Sequence, residues 1–394
     1  MKSQILATGL LAAGVSAAAT EKRACSATAE WPGFAGIKHA FVFGDSYSQT
    51  GFNTSLAAPS AANPLGNPSY PGWTSCNGPN WVDYLTVKHN ASLLYTYNLA
   101  YGGATVDAAL VKPYADTVLT LKDQVSGLFN ASYAPRTAPA WTGADTIFAF
   151  WIGVNDVGNS YWNGADSTGP LNDKIVGVYE GLAKEIWAAG GRNFVWLSVP
   201  PVDRTPMLTA ESADAQKLCK EDVADFNGKI AAMAKNATAW EGVNAWVVDA
   251  NGVFTGAIEE PGKYASTAGL KNTTAYCEAY ENGTDAQDTL IESCGVPANE
   301  YFWLNTLHPT YPIHDAVAET VADALVAGPN LGRKRSHVDW DSAREVNMQP
   351  AIVAPDITLY QKEFENGRTA GMRGLILRPT MPNMADIRWT TLQE

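Results

Sequence analysis

The chain of 394 residues is 46% hydrophobic and carries 34 Gly, 22 Pro and 13 Trp, enough apolar material for a full core and enough turn formers for long loops. Its formal net charge of -13 opposes adsorption to nucleic acid or anionic membrane, since both attract basic surfaces. One large α/β domain with appendages, acting as a monomer on a neutral or cationic small partner, fits these values.

Met1-Lys2, an apolar run from Ile5 to Ala19 and small residues at Ala17 to Ala19 predict a secretory signal over 1–19, too short to span a bilayer. Glu21-Lys22-Arg23 follows as a possible dibasic processing point, so a mature, extracellular chain is expected to begin near Ala24. Asn-x-Ser/Thr sequons at Asn53, Asn90, Asn130, Asn236, Asn272 and Asn282 agree with export and a glycoprotein. Cys277 and Cys294 flank a polar, Gly-containing segment and read as a loop staple worth roughly 3 kcal/mol. Cys25, Cys76 and Cys219 leave an odd thiol without an assigned partner. With no C-x-x-C pair, a zinc or thioredoxin-type site has no support, and no metal or organic cofactor is expected.

Apolar, strand-like runs recur at 39–44, 93–99, 145–152, 192–199 and 243–249, separated by segments of helical period. This alternation predicts a parallel sheet wrapped by helices. One helix is expected from Asp173, a plausible N-cap, to Ala189, ended by Gly190-Gly191. Others are expected over 213–235 and 313–326. After Gly332 the run Arg333-Lys334-Arg335 opens a tail, 333–394, without clear period and outside the expected domain of 24–332.

Four segments carry candidate chemistry. Ser46 follows the apolar run His39-Ala40-Phe41-Val42-Phe43, where a tight turn is expected to enter a helix, so its hydroxyl sits at the carboxyl edge of a sheet. A serine becomes nucleophilic when a base takes its proton and prepositioned donors meet the oxyanion. In Asn98-Leu99-Ala100-Tyr101-Gly102-Gly103-Ala104-Thr105, paired glycines let the backbone approach a ligand, and the Gly103 N–H suits an oxyanion donor beside that of Ser46. Gly153-Val154-Asn155-Asp156 ends the third strand and offers the neutral amide of Asn155. His308, followed by Pro309 and a helix, sits in a loop that can reach the same edge; His39, His89, His314 and His337 lie in less suitable contexts.

Phe43-Gly44-Asp45-Ser46-Tyr47-Ser48, Gly103, Gly153 to Asp156 and His308, in this order over about residues 35–328, resemble the conserved blocks of the SGNH (GDSL-type) hydrolase superfamily. Cys76-Asn77-Gly78-Pro79-Asn80-Trp81-Val82-Asp83-Tyr84-Leu85, the Asn98 to Thr105 run and Leu307-His308-Pro309-Thr310 are similar to fungal secreted carbohydrate esterases of family sixteen. The resemblance implies a flavodoxin-like three-layer α/β/α sandwich around a five-stranded parallel sheet. It also implies a serine esterase that removes acetyl groups from hemicellulose-derived saccharides.

The superfamily pattern has Asp three residues before the histidine, and this chain has Asn305 there. An Asn carbonyl can steer an imidazole if the amide is held in the right flip, as in Cys-His-Asn enzymes. A Ser46–His308 dyad steered by Asn305 or by backbone is therefore expected, while Asp249 and Asp315 have no positional warrant as substitutes. Trp81, Trp151, Trp162 and Trp303 flank the motifs and are candidates to stack on sugar faces or line an acyl pocket. Two rivals remain open: a lipase or phospholipase with the same machinery, disfavoured by the lack of a long amphipathic lid, and a noncatalytic sugar-binding relative, favoured by the missing Asp. An α/β-hydrolase is disfavoured because no Gly-x-Ser-x-Gly elbow is present.

Overall fold

The computed structural model describes residues 30–331. The signal and processing segments, Cys25 and the tail from Arg333 lie outside the described residues. In chain order the elements are β1 (His39–Gly44), α1 (Trp81–Val87), β2 (Tyr95–Asn98), a π-helical stretch (Asp123–Phe129) continued by α2 (Asn130–Ser132), β3 (Thr146–Trp151), α3 (Val154–Gly158), α4 (Ala165–Ala188), β4 (Asn193–Leu197), α5 (Pro206–Thr209), α6 (Ala213–Ala237), β5 (Asn244–Val248), α7 (Ala250–Glu259) and α8 (Tyr311–Ala327).

The five strands fall inside the five apolar runs and form one parallel sheet in the order β2-β1-β3-β4-β5. Strands buried on both faces need no alternation, which is why Thr146–Trp151 is apolar at nearly every position and buried at all of them. Side chains in register stack across the sheet: Tyr97 on Phe41, Phe41 on Phe148, Phe148 on Phe194. Helices α4 and α6 pack against each other, and α8 packs against α1 and α7, so helical layers flank the sheet in an α/β sandwich. The chain leaves β1 for β2 on one side and returns to β3 on the other. The crevice between the carboxyl ends of β1 and β3 is thus the topological switch point where open sheets bind ligands.

Two expected boundaries are corrected. Helix α4 starts at Ala165 rather than after Asp173, with Gly164 at the N-cap, and runs through Pro170. Asn172 is fully buried and donates to Asp222 and Asp225 of α6 at 2.7 and 2.9 Å, so interhelical contact outweighs the hydrogen bond that Pro170 forfeits. Asp173 pairs with Lys229 instead of capping. The second correction is at Ser46: no helix follows it, because Pro59, Pro64, Pro68, Pro71 and Pro79 keep the chain irregular as far as α1. The Cys277–Cys294 staple is present, with Cα atoms 5.7 Å apart, and Cys76 and Cys219 are buried free thiols.

Candidate active site

The turn after β1 is fixed from several directions. The Asp45 carbonyl accepts the Ser48 and Gln49 N–H groups at 3.0 and 2.9 Å, reversing the chain with Ser46 at its tip. Gln124 clasps Gly44 from both sides, its Oε1 accepting the Gly44 N–H at 2.9 Å and its Nε2 donating to the Gly44 carbonyl at 2.8 Å. A Cβ at position 44 would lie 2.4 Å from the Trp151 carbonyl, so the close approach of β1 to β3 requires glycine. Beyond Ser46, the Ser48 carbonyl accepts from Asn80 and Asn98 at 2.9 and 2.6 Å, and the Ser48 hydroxyl accepts from Trp81 at 2.9 Å.

The loop bearing His308 is a narrow reversal: Trp303 bridges Pro309, and the Leu304 N–H donates to the His308 carbonyl at 2.8 Å. Asn305 closes it, its Oδ1 accepting from the Leu307 N–H at 3.0 Å and the His308 N–H at 2.8 Å. The same oxygen lies 3.1 Å from His308 Nδ1. Three donors converging on one atom fix the amide flip, so the oxygen faces the ring and Nδ1 carries the proton. Nε2 is then the basic nitrogen, and the Ser46 hydroxyl donates to it at 2.8 Å. Burial depresses the His308 pKa to about 4, which keeps the ring neutral and basic over most of the pH range.

The donors for a developing oxyanion lie on the other side of Ser46. The loop after β2 is tied down by the Tyr101 N–H on the Gly44 carbonyl, 3.1 Å, and by the Gly102 N–H on Gln49 Oε1. Gly103 adopts φ 80°, and a Cβ there would lie 2.2 Å from the Tyr114 ring, so only glycine fits. Asn155, at the start of α3, donates one amide N–H to the Ala104 carbonyl at 2.9 Å and retains a second. Among the described residues neither the Ser46 N–H nor the Gly103 N–H meets a protein acceptor, although both residues are buried. Buried backbone donors are rarely left unpaired, and a pair flanking a serine hydroxyl is the arrangement that meets an anionic oxygen.

Two fully buried carboxyls adjoin these groups, with burial raising Asp45 and Asp156 each to about 7. Asp45 accepts the Tyr47 N–H at 3.0 Å and Asp156 accepts the Val106 N–H at 3.0 Å, so both brace the loops around Ser46 and Gly103. Asp249 caps α7 through the Gly252 N–H, and Asp315 pairs with Lys88 and His89, so neither reaches His308. His314 is buried against Tyr47 and Trp151 and is held neutral, its pKa lowered to about 3 by burial.

The expectation for the tryptophans is corrected. Trp81, Trp151 and Trp303 are 0 to 1% exposed and pack in the core, where their rings offer no face to a sugar. Trp81 and Trp151 spend their indole N–H groups on Ser48 and on the Ser198 carbonyl. Trp162 is 47% exposed. Two contributors escape a reading by local motif, Gln124 and Gln49, because each acts through contacts with residues more than fifty positions away.

Residues 41–321 match the GDSL-like lipase/acylhydrolase family. An acetylesterase of Thermothelomyces thermophilus is 40% identical over 322 residues, covering 81% of this chain and 95% of that protein. An acetylesterase of Hypocrea jecorina is 24% identical over 348 residues, covering 77% and 92%. A GDSL esterase/lipase of Arabidopsis thaliana is 25% identical over 305 residues, covering 68% and 88%. The chain belongs to the GDSL-like lipase/acylhydrolase (SGNH) family and is a carboxylic ester hydrolase of acetylesterase-like type.

Proposed function

We propose that the protein is a secreted acetylesterase that hydrolyses short acyl esters of small saccharides through an acyl-Ser46 intermediate. Ser46 Oγ attacks the ester carbonyl while His308 Nε2 takes its proton, and Asn305 stabilises the imidazolium through Nδ1. The N–H groups of Ser46 and Gly103 and the Asn155 amide receive the oxyanion. His308 then returns the proton to the departing sugar hydroxyl, and water repeats the sequence on the acyl-enzyme. No step calls for a metal or organic cofactor.

The observation that carries this reading is the unbroken chain from Asn305 through His308 to Ser46 beside two unspent N–H groups. The saccharide part draws support from the surface. Among the described residues the exposed aromatic side chains are Tyr70, Trp73, Tyr101, Tyr114 and Trp162, and all lie in segments that leave the carboxyl ends of β1, β2 and β3. Such rings around a mouth suit the apolar faces of sugars. The export part rests on residues 1–19, the sequons and the Cys277–Cys294 bond; no helix among the described residues is long and apolar enough to cross a membrane.

Hydrolysis of p-nitrophenyl esters by wild type and Ser46→Ala tests the mechanism. Loss of about 10⁴-fold or more in kcat is expected for the variant, and equal rates would refute the serine mechanism. Activity that rises toward C8 or longer acyl chains would favour the lipase reading over the acetylesterase one.

A further inference from the structure

The serine and its base come from segments 262 residues apart, yet their bond of 2.8 Å needs both loops held in one register. Tyr47 spans the gap. Its hydroxyl donates to the Leu307 carbonyl at 2.6 Å, so the residue after the nucleophile is bonded to the residue before the base. Among the described residues, the only other hydrogen bond between the Asp45–Gln49 turn and the Trp303–Pro309 loop is the Ser46–His308 bond itself. The Tyr47 ring also meets the His308 ring edge to face, with centroids 5.6 Å apart, and is backed by Trp151 and Phe254. Burial holds its hydroxyl far above the ordinary tyrosine range, so it stays a donor at every working pH.

We infer that Tyr47 is a positioning residue: through the Leu307 carbonyl it sets the approach of His308 Nε2 to Ser46 Oγ, and its ring limits how far the imidazole can swing. This rests on the serine mechanism proposed above. The carbonyl it holds belongs to the residue whose N–H is held by Asn305, so Leu307 is gripped at both ends of its peptide environment. Misplacement of a reacting group by ~1 Å can cost about 10²-fold in rate, which makes one well-aimed bond consequential.

The test is Tyr47→Phe, which removes one oxygen and keeps the ring contacts. Tyr280→Phe serves as control, because its hydroxyl likewise donates to a buried-side carbonyl, Val296, at 2.9 Å, but in the disulfide-closed region. Rates are taken with p-nitrophenyl acetate, per folded protein judged by circular dichroism, beside Ser46→Ala. For Tyr47→Phe we expect kcat to fall about 10- to 100-fold with KM within about twofold. The rate at which an organophosphonate modifies Ser46 should fall in parallel. Tyr280→Phe should lose thermal stability comparably and keep its kcat. A Tyr47→Phe kcat within about twofold of wild type, or equal losses of kcat in both variants, would overturn the inference. If wild type proved no faster than Ser46→Ala, the serine mechanism itself would fail and this role with it; an active wild type, a dead Ser46→Ala and an unchanged Tyr47→Phe would remove only the role of Tyr47.

Discussion

Strands β1 and β5 both run into an aspartate at the carboxyl edge of the sheet, and the two aspartates do opposite things. After β5, Asp249 is exposed, caps α7 through the Gly252 N–H at 2.9 Å, and the helix begins at the next residue. After β1, Asp45 is 1% exposed, no helix follows, and the turn is held by Gln124, Asn80, Asn98 and Trp81 reaching in from elsewhere. At β5 a local cap suffices, and the N–H groups of the first turn are spent within the helix. At β1 the turn is imposed by tertiary contacts, and this leaves the Ser46 N–H unspent. A binding edge is thus made by withholding the local solution that the scaffold edge uses.

The contrast can be broken or sharpened by substitution. The largest effect is expected from Asn155→Ala, which removes a side-chain donor and should lower kcat by about 10²–10³ with little change in KM in steady-state assays. Gln124→Ala comes next: if the β1 turn is held from outside, kcat should fall about tenfold along with thermal stability. Full activity in that variant would mean that the Ser46 turn is locally encoded after all.

Asn305→Asp should retain or modestly raise activity, because a carboxylate accepts the same three N–H groups. It should also move the acid limb of kcat/KM. In the wild type the base must be neutral and burial depresses its pKa to about 4, so activity should persist in mild acid and fall as pH drops through that value. A carboxylate beside Nδ1 favours the imidazolium, so the limb should shift to higher pH. The smallest catalytic effect belongs to the scaffold edge: Asp249→Ala should cost about 1 kcal/mol of stability, read by urea titration, with kcat within about twofold.

Much of this was legible in the chain. Five apolar runs give the strands because strands buried on both faces must be apolar throughout, and Gly103 and Gly153 announce backbone conformations, φ 80° and 126°, that side chains avoid. Asn305 at the position expected of an acid was visible, but its flip was not, since that depends on which N–H groups fold around it. The tryptophans misled for the opposite reason: adjacency to a motif says nothing about which face a ring presents, and Trp81, Trp151 and Trp303 face inward. The α4 start was hidden by Pro170, whose local penalty is outweighed only by contacts from α6.

The sequence by itself determined the parallel strands, the order of the reactive segments and the chemical types available to them, because hydrophobic period and side-chain chemistry are properties of each residue. Only the tertiary structure decided the 2.8 Å approach of Ser46 to His308, the clasp of Gln124 on Gly44 and the reach of Tyr47 to Leu307. Those bonds join residues 80 to 262 positions apart, and a contact of that span exists only once the sheet has set the crevice between β1 and β3.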